Sequence, residues 1–99
     1  MRFSFDPDKN EANFFKHGLS LADAQWVYNA PNKLTLHSLR NDEQRLLDIA
    51  LVEVAGVVLV LVYVQRDMEE IRAISLRRAS KQERKLYAQW QEKNNDHSN

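Results

Sequence analysis

Gly56-Val-Val-Leu-Val-Leu-Val-Tyr-Val64 is the stretch on which the fold turns. From Val57 to Val64 every residue is apolar or aromatic and most are β-branched, the pattern of a strand buried on both faces and so placed in mid-sheet. The uninterrupted run from Val54 to Val64 stops at Glu53, well short of the roughly 18 residues that a membrane span needs. Such a strand must be covered by other elements, and the flanking sequence supplies them.

Residues 44–54 before it are strand-like, with Ala55-Gly56 as a tight hairpin turn. After a turn at Arg66-Asp67-Met68-Glu69, residues 71–75 form a third antiparallel strand, in which plain alternation puts Ile71, Ala73 and Ser75 on one face and Arg72 and Ile74 on the other. Residues 34–37 alternate as a further strand with Leu34 and Leu36 together, residues 38–42 read as a turn, and residues 2–5 as a short half-buried strand. Asp6 as cap, Pro7 at the first helical position and Gly18 at the end predict a helix over 7–17, with Ala12 and Phe15 as its apolar stripe. Ser20 opens a second helix with Asp23 three residues on, and Leu21, Ala24 and Tyr28 follow helical spacing up to Asn29-Ala-Pro31-Asn32. Ser80-Lys-Gln-Glu83 is a full capping box for a last helix striped by Leu86, Tyr87 and Trp90. The expected class is α+β: one domain over 1–93, an antiparallel sheet of three to four strands, and two N-terminal helices and a C-terminal helix gathered on one face, with 94–99 a polar, frayed tail.

With 99 residues the chain is one small domain, and 43% hydrophobic content with two Gly and two Pro excludes disordered and collagen-like classes. No cysteine is present, which excludes disulfides, thiolate chemistry and Cys-based zinc sites and fits a reducing cytoplasm. The N-terminus lacks the apolar block of a secretory signal, so no export and no membrane association are expected. Lys+Arg and Asp+Glu are 14 each, against indiscriminate coating of nucleic acid. Cationic character gathers late: residues 1–64 carry six Lys/Arg against eight Asp/Glu, and residues 65–99 eight against six.

The polar residues these elements display are Lys16 and His17, Arg40, Glu43 and Arg45, Arg66, Arg72, and Arg77-Arg78. No metal-ligand spacing, paired-carboxylate motif or phosphate-binding glycine loop occurs, so neither a metal nor a cofactor is expected. Arginine forks match phosphate oxygens, and His or Glu moves protons, so the set could support metal-free phosphodiester cleavage. Ordinary readings stand beside this one: a helix-end cation for His17, a cross-strand ion pair for Glu43 and Arg45, and a solvated basic edge for Arg66, Arg72 and Arg77. Trp26 lies off its helix stripe and suits a partner interface.

Phe5-Asp-Pro-Asp-Lys9-Asn10-Glu-Ala-Asn13, Lys16-His17-Gly18-Leu-Ser20, Glu43-x-Arg45, Arg66, Ile71-Arg72-Ala-Ile-Ser75-Leu-Arg77-Arg78-Ala79 and Glu83-Arg84-x-x-Tyr87 together resemble BrnT-type toxins, whose segments read approximately WDxxKxxxNxxKHGVSF, GExR and R(I)ISAR(R)A. The resemblance covers about residues 3–88. It differs where Asp42 replaces the family's Gly, where Leu76 replaces Ala, in the Leu36-His37-Ser38 region ahead of Arg40, and at Tyr63-Val64. It implies a RelE-like fold and a ribonuclease toxin of a type II toxin–antitoxin pair, neutralised by a BrnA-type ribbon-helix-helix antitoxin in a hetero-oligomer that meets DNA only through the antitoxin. It places Lys16, His17, Glu43, Arg45, Arg66 and Arg72 at the catalytic site and Arg40, Arg77 and Arg78 on the RNA. The alternative is a catalytically inactive interaction domain that keeps the partner surface.

Overall fold

The computed structural model describes residues 1–95. In chain order the elements are β1 (Arg2–Ser4), α1 (Pro7–His17), a 3₁₀ turn (Leu21–Asp23), α2 (Ala24–Tyr28), β2 (Lys33–Arg40), β3 (Glu43–Val52), β4 (Val57–Asp67), β5 (Glu70–Arg78) and α3 (Lys81–Asn95). The sheet has five strands in the order β1-β5-β4-β3-β2, one more than expected, and it is mixed: β1 runs parallel to β5, and the remaining pairs are antiparallel. The meander of β2 to β5 needs only short turns, whereas β1 lies beyond β5 at the opposite edge from β2 and connects to β2 through α1 and α2.

β4 is the mid-sheet strand that its apolar run demands, and its two faces feed separate cores. Leu59, Leu61 and Tyr63 pack with Ala50, Val52, Ile71, Ala73 and Leu76 against Leu21, Ala24 and Val27 of the 3₁₀ turn and α2. Val60 and the half-buried Val58 and Val62 pack with Ile49, Leu34, Leu36 and Leu47 against Ala79, Tyr87 and Trp90. The helices are therefore not gathered on one face: α2 covers one side and α3 the other. A strand apolar at both odd and even positions would leave one set in water if only one side were covered.

The caps behave as read. Asp6 accepts from the Asp8 N–H at 2.9 Å, Gly18 closes α1 at φ 71°, and Ser80 and Glu83 form the reciprocal box, Glu83 N–H donating to Ser80 Oγ at 3.1 Å and Ser80 N–H to Glu83 Oε1 at 2.8 Å. The second helix is shorter than its spacing suggested. Ser20 Oγ accepts from the Ala22 N–H at 3.1 Å, so the entry turn tightens to 3₁₀ before five α-helical residues, and the Asp23 side chain takes no part in the cap. Alternation continues through 38–40, leaving Asn41-Asp42 alone as the turn between β2 and β3. Asn94 and Asn95 belong to α3, and residues 96–99 of the expected tail lie outside the described residues.

Two local readings fail for one reason each. α1 does not bury Ala12 and Phe15; Phe15 is 94% exposed, and the buried residue is Asn13. Its amide donates to the Leu76 C=O at 2.9 Å and the Leu19 C=O at 2.8 Å and accepts from the Leu76 N–H at 3.2 Å. Helical apolar periodicity is silent about a face held by a polar side chain that completes a strand edge. In β5 the register slips between Ala73 and Ser75, so Ile74 has no opposite residue. Ile71, Ala73 and Leu76 then share the α2 face, and Arg72, Ser75 and Arg77, opposite Val64, Val62 and Val60, share the α3 face.

Candidate active site

Among the described residues, only part of the α3 face of the sheet is covered. α3 lies over Leu34, Ile49, Val58 and Val60, and beyond Leu36, Leu47 and Val62 the face turns polar. There Ser38 pairs with Arg45, Arg40 with Glu43, and Arg72 is flanked by Val64 and by Ser4 of β1. By alternation all of these side chains leave the same face as Leu36, Leu47 and Val62. Arg45 stands one residue outside the Leu46–Tyr63 pair and so across from Val64, leaving two strand spacings, roughly 10 Å, between the Arg45 and Arg72 backbones. The buried Val64 is the floor between two arginines.

Within this patch Arg45 Nε donates to Glu43 Oε1 at 3.2 Å; the Arg45 side chain is 23% exposed and the Glu43 side chain 41%. A carboxylate held beside a guanidinium can accept a proton while its partner neutralises a bound anion. Arg72 is half-buried between strands, and Arg66 lies exposed at the second register slip, near the end of β4. Arg40 is exposed at the hairpin end. Glu70 accepts from the Ser4 hydroxyl at 2.8 Å and pairs with Arg2 at 3.4 Å, closing the patch on the β1 side.

The remaining candidates stand elsewhere. Arg77 donates bidentately to Glu83, Nη1 to Oε1 at 2.7 Å and Nη2 to Oε2 at 2.9 Å, so its fork is committed to the start of α3. This pairing holds the Glu83 carboxyl down at about 2, aided by the Ser80 bonds against the cost of burial. Lys16 and His17 end α1 near this corner. Burial lowers the His17 pKa, and the Lys16 and Arg77 charges lower it further, which favours the neutral imidazole. Arg72 and Arg77 are four paired steps apart, roughly 13 Å along the strand, so eight of the nine residues form two groups. Arg78 belongs to neither: opposite Leu59, it leaves the α2 face.

A buried polar cluster on the α2 face escaped sequence reading. Asp48, fully buried, accepts from Lys33 Nζ at 2.8 Å and from the Thr35 hydroxyl at 2.6 Å, and Lys33 Nζ sits 3.9 Å from the centroid of the Tyr28 ring. Burial, then the neighbouring Asp48, pushes the Tyr63 phenol well above its ordinary value. A lone acid amid Leu46-Leu47-Asp48-Ile49-Ala50 was the available signal. Trp26 is 52% exposed at the rim of a cavity of about 510 Å³ lined also by Pro31, Leu51, Val54, Tyr87 and Gln91, away from the arginines. Among the described residues no three His, Asp or Glu side chains gather as a metal site, and no helix is long and apolar enough to cross a membrane.

Among solved structures, the fold is similar to the 1.1 Å crystal structure of the Brucella abortus ribonuclease toxin BrnT, with a TM-score of 0.64 and 24% sequence identity over 82% of this chain and 99% of that one. At that identity the likeness speaks for the fold. No curated protein matches the sequence. The family model described as the ribonuclease toxin, BrnT, of type II toxin–antitoxin systems matches residues 5–83, from the entry to α1 through the Glu83 cap and across the patch residues from Arg40 to Arg72, and the chain therefore belongs to the BrnT toxin family.

Proposed function

We propose that this chain cleaves RNA without a metal ion, by in-line attack of a ribose 2′-hydroxyl on the adjacent phosphorus. The observation that carries the reading is the uncovered part of the α3 face, where Glu43, Arg45 and Arg72 stand together inside the residues matched by a ribonuclease-toxin family. Arg45 and Arg72, with Arg66 and Arg40 at the rim, hold the scissile phosphate and its developing charge. Glu43 takes the 2′ proton, the P–O5′ bond breaks, and the leaving 5′ oxygen takes a proton from water on the open face, yielding a 2′,3′-cyclic phosphate and a 5′-hydroxyl. His17 and Lys16, at the corner beside the Arg77–Glu83 pair, meet the RNA at a neighbouring nucleotide rather than at the same phosphate. Cleavage of messages arrests translation and growth. Family membership implies an antitoxin partner; in this reading it is of BrnA type, with a ribbon-helix-helix domain through which alone the complex meets DNA.

The test is cleavage of an oligoribonucleotide. Cleavage should persist in EDTA, disappear when the central 2′-hydroxyl is replaced by hydrogen, and fall about 100-fold or more in Glu43→Gln, the range lost with a general base. EDTA-sensitive cleavage, or cleavage of the deoxy-substituted strand, overturns the mechanism.

A further inference from the structure

The two edges of the sheet are finished differently. On the β5 side the outer backbone is covered, first by β1 and then by the Asn13 amide, which pairs with both the N–H and the C=O of Leu76 as a strand would. On the other side β2 runs eight residues in unbroken register with β3, without bulge or proline, and among the described residues no strand lies outside it. Natural sheets block such an edge unless something pairs with it. The two-residue turn with positive φ at Asn41 and Asp42 makes Arg40 and Glu43 a hydrogen-bonded pair, and alternation from there points the backbone N–H and C=O of Thr35, His37 and Leu39 outward. Leu39 is 68% exposed.

The charge on this edge selects the kind of strand it takes. Lys33-Leu-Thr-Leu-His-Ser-Leu-Arg40 contains no acid, and because Lys33 is paired with Asp48, the cation an added strand would meet is Arg40, with His37 beside it. Antiparallel self-pairing must match outward-pointing residues with each other, which at the centred register sets His37 opposite His37 and Arg40 opposite Leu34, with no acid in either strand to meet Arg40. An acidic segment meets complementary charge, and acidic residues at alternate positions would line up beside His37 or Arg40 while the backbone supplies the ladder.

We propose that the open edge of β2 is where the antitoxin adds an acidic extended segment as a sixth strand. This rests on the reading of the chain as a toxin with a protein partner. A strand there stands against Arg40, at the rim of the patch that holds Glu43 and Arg45, so occupying the edge also narrows the approach of RNA.

The probe is an acetylated peptide of about seven alternating Glu and Val residues, with the Lys–Val peptide as control, added to the full chain. At saturation the acidic peptide should slow hydrogen exchange at the Thr35, His37 and Leu39 amides about tenfold or more, and leave Leu36 and Ser38, already paired with β3, unchanged. His37→Pro removes one outward N–H without touching the β2–β3 ladder and should weaken binding about tenfold, with circular dichroism and RNA cleavage as in the unaltered protein. Exchange on the unaltered protein keeps the test independent of how that variant folds. The proposal is overturned by absence of protection at millimolar peptide, by protection confined to the Trp26 cavity, by equal binding of the Lys–Val peptide, or by a homodimer that His37→Pro dissolves. RNA cleavage measured on the same preparation separates the two readings: cleavage without edge binding removes the docking edge alone, and edge binding without cleavage removes the ribonuclease mechanism alone.

Discussion

Single residues decide whether the differences from the family pattern matter. Asp42 occupies a position where Gly is usual, and its φ of 62° is the left-handed conformation that Gly adopts freely and Asp tolerates. The turn that delivers Glu43 and Arg45 is thus kept by a residue suited to it. Asp42→Gly should leave the thermal midpoint unchanged or raise it, whereas Asp42→Val should destabilise by about 1–2 kcal/mol, read by denaturant unfolding. Leu76, another of the departures, is fully buried in the α2-side core, away from the polar patch. Asn13 carries more than any apolar residue of α1. Asn13→Ala would leave both backbone groups of Leu76 unpaired in a buried place and should cost about 2–4 kcal/mol in equilibrium unfolding; a cost under about 0.5 kcal/mol would show that the amide does not finish the edge.

At the scale of elements, α3 is joined to the sheet electrostatically as well as by Tyr87 and Trp90. The Tyr87 hydroxyl donates to the Asn32 C=O at 2.7 Å and accepts from the Leu51 N–H at 3.2 Å, continuing the β2–β3 ladder where β2 has ended. One turn earlier, at the start of α3, the Arg77 fork holds the Glu83 carboxyl at about 2 when folded, against 4.5 otherwise. A depressed carboxyl contributes stability that is present above the unfolded value and lost as pH falls through the folded one. The window is therefore about pH 4.5 down to 2, and the contribution is on the order of 2–3 kcal/mol, since both side chains are mostly shielded. Glu83→Gln should flatten the pH dependence of urea unfolding across that window; an unchanged slope would mean that the Arg77 fork does not bind Glu83 in solution.

For the whole molecule, the geometry divides the arginines by face, and activity should divide the same way. Arg72→Ala should reduce RNA cleavage about 100-fold, because it removes one side of the phosphate clamp, whereas Arg78→Ala, on the α2 face, should stay within about threefold. Equal losses at both positions would place the RNA elsewhere. Covering the sheet on both sides while leaving one end of the α3 face bare puts the polar patch on rigid strands, where side-chain positions are better held than on loops.

Much of this was legible in the chain itself. The doubly apolar run of residues 57–64 identifies a mid-sheet strand, the Asp6-Pro7 and Ser80–Glu83 caps mark where α1 and α3 begin, and Glu43 and Arg45, two apart in a strand, share a face by periodicity alone. Only the tertiary structure decided the rest, because it depends on contacts distant in sequence. The parallel docking of β1 on β5, the placing of α3 opposite α2 and the pairing of Asn13 with Leu76 leave no local signal. The slip at Ile74, visible only against β4, sends Arg72 and Arg77 to one face, and the Arg77–Glu83 fork withdraws Arg77 from the phosphate-binding set that its position in the sequence suggested. Periodicity assigns a side chain to a face; which face stays open is settled by what the rest of the chain packs onto it.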